Sequence, residues 1–154
     1  IGLRSQLLTA TRGHSVMASR LLGYEPWQGS ISGSRNGVLV ASESGVATSY
    51  SIANAQEGAQ TLVEPQTPVY EGMLVGLNSR PEDMAVNITR EKKQTNMRAS
   101  SADEGIRLIP PRRLSLEQAI EFINDDELVE ITPKFLRLRK RVLAANMRPR
   151  RAQD

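Results

Sequence analysis

An α+β fold, rich in short strands and carrying one main capped helix, is what this sequence predicts. Three observations point there. Short aliphatic runs, such as Gly37 to Ala41 (GVLVA) and Val69 to Leu77, are bounded by Gly, Pro and Ser. One capping box of the S-x-x-Q type, Ser115 to Gln118, opens a helix. Phe135 to Val142 alternates basic and apolar residues with the period of a strand.

The elements follow in order. Leu3 to Ala10 is helix-like, with Leu3, Leu7 and Leu8 on one side and Gly13 as the C′ residue that ends it. Ser15 to Leu22 reads as a strand, and Gly23 to Asn36 as a connection rich in Gly, Pro and Ser. Gly37 to Ala41 and Val46 to Ile52 flank Ser44-Gly45, a hairpin signal. Ala53 to Gln60 is a short helix. Val69 to Leu77 and Met84 to Ile88 are strands, and Ile106 to Ile109 another that Pro110-Pro111 stops. The helix after Ser115 runs from Leu116 to Asn124, with Leu116, Ala119, Ile120 and Ile123 on one face. Leu128 to Thr132 is a strand. In the last strand Leu136, Leu138 and Val142 share one face, interrupted by Lys140, and Arg137, Arg139 and Arg141 share the other.

Composition excludes several classes. The chain has 154 residues, 39% of them hydrophobic and 24% charged, which suits one medium domain, or a domain plus part of another. No apolar run approaches the length of a transmembrane helix, and Ile1 to Thr11 lacks the features of a signal peptide, so no membrane partner is expected. Without an initiator Met the chain is expected to be a fragment or a processed form. With no cysteine there are no disulfides and no cysteine metal sites, compatible with a cytoplasmic location. The net charge of +3 is unevenly spread. Residues 1–84 hold five basic and seven acidic side chains, whereas residues 85–154 hold fifteen and ten. Lys134 to Arg151 has eight basic residues and no acid. Such clustering favours a polyanionic partner, against the plainer alternative of a solvated basic tail.

The segment Asn87 to Ala102 sharpens that reading. It has neither a period of two nor of 3.6, so it is a loop. Arg90, Lys92, Lys93 and Arg98 supply cations for phosphates, against the single acid Glu91. Thr95 and Asn96 offer groups for a ribose hydroxyl or a base edge. A solvated surface loop is the competing reading. Arg137, Arg139 and Arg141 are the second candidate site. Their alternation spaces them about 6.6 Å apart, similar to successive phosphates, but an outward face paired with Glu127, Glu130 or water fits as well. Arg112 and Arg113 are weaker candidates. Asp125, Asp126 and Glu127 are adjacent on a turn and do not converge on one ion, so they read as a solvated helix end and not a metal site. His14, the only histidine, belongs to the turn after Gly13 and has no catalytic partner. Tyr24 and Trp27 flank Pro26 near the junction; stacking on a base is one reading, and packing between two units is the better expectation.

Longer motifs support a resemblance. LRSQLLTATRG followed by SVMASRLLGYEPWQG resembles the end of the last elongation-factor-G-like domain of translational GTPases. RNGVLVASESG, VYEGMLVG, KKQTNMRASSADE, PPRRLSLEQAIEFINDDELVEITP and LRLRKR, in that order, resemble the C-terminal domain peculiar to the BipA (TypA) translational GTPases. The resemblance covers essentially the whole chain. It implies a partial ferredoxin-like (split βαβ) remnant over residues 1–28, ahead of a specific domain over 29–154 with a basic loop at about 80–103 and a basic tail at 134–154. The remnant would be frayed, or would self-associate with a neighbouring molecule. It also implies binding to the ribosome, with the basic loop reaching large-subunit RNA and the acceptor end of a transfer RNA. The family is linked to stress adaptation and large-subunit maturation. GTP and Mg would belong to an N-terminal domain outside this chain, because no G-x-x-x-x-G-K-[ST] motif occurs here. No catalytic residue or cofactor is therefore expected in this sequence.

Rival classes remain. A general RNA-binding module would use the arginine stripe and tail, with steep salt dependence. A protein-interaction module would use the sheet between Val38 and Leu77. An enzyme is the weakest reading, for want of a catalytic constellation.

Overall fold

Strand β1 (Val38–Ala41) is buried along its whole length, and that sets the layering. A strand alternates its side chains between two faces, so a strand buried on both must lie inside a sheet covered on both sides. A computed structural model describes residues 3–27, 29, 35–92 and 106–148. The described chain is mixed α+β, with strands outnumbering helices.

The central sheet has four strands in the order β3 (Ala59–Thr61), β5 (Leu74–Asn78), β1, β6 (Met84–Val86). β5 runs antiparallel to β1 and to β3, and β6 runs parallel to β1. Leu39 and Ala41 of β1 join a core with Val75, Ile88 and Ile52. Ile52 comes from helix α2 (Ser49–Gln56), which covers that face. Val38 and Val40 join the opposite core with Leu74, Ala119 and Leu138. Ala119 belongs to helix α3 (Leu116–Phe122), and Leu138 to the antiparallel hairpin of β7 (Glu127–Ile131) and β8 (Leu136–Lys140). Backbone bonding ties β8 to the sheet: Lys140 donates its amide to the Gly72 carbonyl at 2.8 Å.

Several sequence expectations hold. Helix α1 (Leu3–Ala10) ends at Gly13, whose φ is +84° and whose amide bonds the Leu8 carbonyl at 2.7 Å. His14 lies in that turn, its amide bonding the Thr11 carbonyl. The capping box is complete, with Ser115 Oγ accepting from Gln118 N and Gln118 Oε1 accepting from Ser115 N.

Others are corrected. The Ser44-Gly45 hairpin does not form. Its second arm is interrupted because Thr48 accepts from Ser51 N and caps α2, which begins at Ser49, inside the run expected to be strand, leaving only β2 (Gly45–Val46), paired with β4 (Pro68–Val69). Helix α2 thus precedes the helix expected at Ala53 to Gln60, and Ala59 and Gln60 are in β3. The strand expected over Val69 to Leu77 is split at Gly72, where φ is +87°. Ser15 to Leu22 forms no strand and lies largely exposed. Tyr24 and Trp27 are exposed at 97% and 84% and pack between no units. Ile106 to Ile109 is not a strand either. Its residue Ile109 is held by a side chain: Gln56 Nε2 donates to the Ile109 carbonyl at 2.7 Å, and Ile109 N donates to Gln56 Oε1 at 2.9 Å. With Arg112 N bonding the Thr61 carbonyl, this segment covers the open edge of β3. Helix α3 buries Ala119, with Phe122 and Ile123 against the core, while Leu116 and Ile120 are exposed.

Gly37 marks a close approach. A Cβ there would lie 2.0 Å from the Glu82 carbonyl oxygen, because the turn after β5 folds back over β1. Gly37→Ala should therefore destabilise the fold by about 1–3 kcal/mol, the usual cost of overpacking. A urea melt that matched wild type would show that this turn yields freely.

Candidate nucleic-acid interface

The described part of the basic loop starts from a fixed root. Two hydroxyls of the α2 terminus, Thr48 Oγ1 and Ser51 Oγ, each donate to the Arg90 carbonyl at 2.6 Å. Thr48 N bonds the Ile88 carbonyl at 3.1 Å, and Ile88 is in the core. Asn87 Oδ1 accepts from both the amide and the hydroxyl of Thr89. These bonds turn the chain away from β6 and leave the Arg90 and Lys92 side chains exposed. Neither has a carboxylate partner among the described residues. Lys93, Thr95, Asn96 and Arg98 lie outside the described residues.

The arginines of β8 are placed differently. Glu130 stands directly across the hairpin from Arg137. Arg137 Nη1 reaches its Oε1 at 3.3 Å and Arg139 Nε its Oε2 at 3.9 Å. Tyr70 donates its hydroxyl to Glu130 Oε2 at 2.6 Å. The hydrogen bond from Tyr70 is the main reason that Glu130 stays below the ordinary carboxylate range, with Arg137 assisting against partial burial. Tyr70 moves the other way. Burial first, then the bond to Glu130 and its charge, push its hydroxyl up to about 12. Two of the three stripe arginines are thus drawn onto one carboxylate, which is the outward-paired alternative. Arg141 lies past the strand end with its side chain exposed. Further along, Arg148 is turned inward on the chain, its guanidinium donating to the carbonyls of Val142 and Leu143.

Behind the hairpin sits an ion cluster that sequence reasoning missed. Lys140 is 2% exposed, and its Nζ donates to Asp83 Oδ2 at 2.7 Å, Asp126 Oδ2 at 2.7 Å and Glu127 Oε1 at 2.8 Å. Arg35 Nη2 bonds both oxygens of Glu127 at 2.5 and 2.6 Å and lies 4.2 Å over the Phe122 ring. Asn124 N donates to Glu127 Oε2. The expected solvated helix end is therefore wrong for Glu127, which is buried because two cations and an amide satisfy it. Burial alone would lower the Lys140 pKa, but its three carboxylate partners outweigh burial and raise it. The carboxylate oxygens of Asp83, Asp126 and Glu127 lie within 4.8 Å of one another, and the ammonium group fills the position that a metal ion would take. A signal was present: a two-residue turn at Pro133-Lys134 pairs Glu127 with Lys140 directly.

Residues 36–145 match the family described as the TypA/BipA C-terminal domain. The chain belongs to that family. It is 41% identical over 154 residues to the large ribosomal subunit assembly factor BipA of Bacillus subtilis, covering 99% of this chain and 25% of that protein. The identity is 44% over 151 residues with the protein of the same name from Haemophilus influenzae, covering 97% and 24%. With that of Synechocystis it is 42% over 140 residues, covering 91% and 24%. The chain thus spans about a quarter of the length of these relatives. The family match begins at Asn36, the last residue of the Gly-, Pro- and Ser-rich connection. No P-loop is present to hold GTP and Mg, and the carboxylate cluster is taken by Lys140.

Two outcomes test this chemistry. Lys140→Met should cost about 1–3 kcal/mol in a urea melt, since it removes one of the two cations that satisfy buried Glu127 and takes the ammonium from Asp83 and Asp126. An unchanged midpoint would mean that the cluster is not a structural element. Tyr70 should titrate in the folded state near 12 instead of 10.0, read as the difference in tyrosinate absorbance between wild type and Tyr70→Phe. Because its folded pKa is raised, by burial first and then by Glu130, the stability linked to the protonated Tyr70 hydroxyl is full below about pH 10 and is lost as pH rises towards 12. A Tyr70 titration near 10.0 would contradict its burial beside Glu130.

Proposed function

We propose that this chain is the ribosome-binding C-terminal region of a BipA-like GTPase and works by positioning a basic loop on RNA. The observation that carries the reading is the loop root. The scaffold fixes the Arg90 carbonyl with two hydroxyls, yet leaves the Arg90 and Lys92 side chains exposed and without carboxylate partners among the described residues. The relatives' name, large ribosomal subunit assembly factor, supports the ribosome as the partner. In this reading Arg90, Lys92, Lys93 and Arg98 contact phosphates, and Thr95 and Asn96 contact ribose or base edges of large-subunit RNA and the transfer RNA acceptor end. Arg141 extends that surface, and Arg137 and Arg139 join it only by sharing themselves with Glu130. GTP hydrolysis belongs to another part of the parent protein and controls residence on the ribosome, in the cytoplasm and in the service of subunit assembly and stress adaptation. Residues 1–28 are the end of an elongation-factor-G-like domain and residues 29–154 the specific domain. Among the described residues no helix is long and apolar enough to cross a membrane.

The test is cosedimentation with ribosomes at two salt concentrations. Lys92→Ala, Lys93→Ala, Arg98→Ala in one chain should abolish most binding at the higher salt and leave the urea midpoint unchanged. Equal binding by wild type and variant would sink the loop reading. Displacement of wild type by any structured RNA would favour the general RNA-binding module instead.

A further inference from the structure

A second basic surface lies away from the loop root. A groove of about 420 Å³ runs between the β3–β4 connection, the segment leading into α3, and the β7–β8 turn. Its rim carries Arg112, Arg113, Lys134 and Arg137, against one carboxylate, Glu64. Glu64 is engaged by Arg113 at 2.5 Å and Arg137 by Glu130 at 3.3 Å. Arg112 and Lys134 are exposed and have no carboxylate partner among the described residues. Phe135 also lines the groove. The Arg137 guanidinium lies 4.9 Å from its ring centroid, and half of the residue stays exposed. Leu74 and Leu138 contribute to an aliphatic wall.

We propose that this groove binds one nucleotide of a single-stranded RNA, with the phosphate between Arg112 and Lys134 and the base against Phe135. The volume falls in the range of small-ligand pockets and is too small for a helix of either nucleic acid or protein. An excess of positive charge selects an anion. A half-exposed aromatic ring beside the cations adds a surface on which an unstacked base can lie, which an acidic peptide would not use. The backbone supports the position of the cations. Arg112 N is fixed to the Thr61 carbonyl at 2.9 Å, and Lys134 sits in the two-residue turn that the Thr132–Phe135 bonds close. The inference rests on the RNA reading for its ligand class, but it uses none of the loop residues.

The experiment is fluorescence anisotropy of a labelled eight-nucleotide single-stranded RNA on the whole 154-residue chain at low salt. Arg112→Glu with Lys134→Glu should weaken binding more than tenfold, and the milder Arg112→Gln with Lys134→Gln severalfold. Phe135→Leu, which keeps an apolar side chain, should weaken it about tenfold through lost stacking. In the Lys92, Lys93, Arg98 alanine background, where ribosome cosedimentation is lost, Arg112→Glu with Lys134→Glu should still weaken the remaining RNA binding more than tenfold. That contrast separates failure of the groove from failure of the loop. The groove assignment is overturned if charge reversal leaves affinity unchanged while circular dichroism shows a folded chain. Insensitivity to Phe135→Leu would overturn it too, as would displacement of the RNA by an equal charge of polyglutamate at the same concentration.

Discussion

The ammonium group of Lys140 is the point on which this structure turns. Its three carboxylate partners come from the turn after β5 and from the start of β7, and Glu127 in turn holds Arg35 from the segment before β1. Residues 35, 83, 126, 127 and 140 thus meet in one place. An ion cluster of this kind is not in itself a large source of stability, because desolvation offsets most of the attraction. Its value is geometric. Asp83 can reach Lys140 only if the turn lies close over Gly37, and there its other oxygen accepts from Val38 N at 2.9 Å. The same turn leads directly into β6, the strand that feeds the basic loop. Apolar packing would tolerate several placements of that turn, whereas unpaired buried charge would not.

This arrangement divides the cations of a basic domain into two populations. Lys140, Arg35 and Arg148 serve the fold, and Arg113, Arg137 and Arg139 are paired with carboxylates. Arg90, Lys92, Arg112 and Lys134 are exposed without such partners among the described residues. The net charge of the second half therefore overstates the surface that an anionic partner meets, and the run from Lys134 to Arg151 is not one continuous patch. Net charge favours a polyanionic partner, but hydrogen bonding decides which side chains can meet it.

Legibility followed the range of the interactions. The α1 C-terminus and the α3 capping box were readable because their donors and acceptors lie within a few residues. The alternation of β8 was readable for the same reason. The Ser44-Gly45 hairpin failed where one local signal overrode another: Thr48 caps a helix across the run that looked like a strand. Ile106 to Ile109 failed because its backbone partner is the side chain of Gln56, more than fifty residues away. Lys140 interrupts an apolar face in the pattern; its pairing with Glu127 follows from the tight turn, whereas Asp83 arrives from another strand connection and needs the tertiary fold. Of the candidate site, the exposed root at Arg90 and Lys92 was legible from composition, while the pairing of Arg137 and Arg139 with Glu130 was visible only as one of two alternatives. The groove between Arg112 and Lys134 needs the tertiary fold to exist.

The central claim is that the loop itself touches large-subunit RNA, and the absence of cysteine allows a direct measurement. A single cysteine at Asn96→Cys can carry a tethered iron chelate that generates hydroxyl radicals, with Glu57→Cys, on the α2 C-terminus, as the control. The account predicts strand cleavage confined to one region of large-subunit RNA from position 96, and none there from position 57. Equal cleavage from both positions, or none from position 96 in a complex that still cosediments, would contradict it.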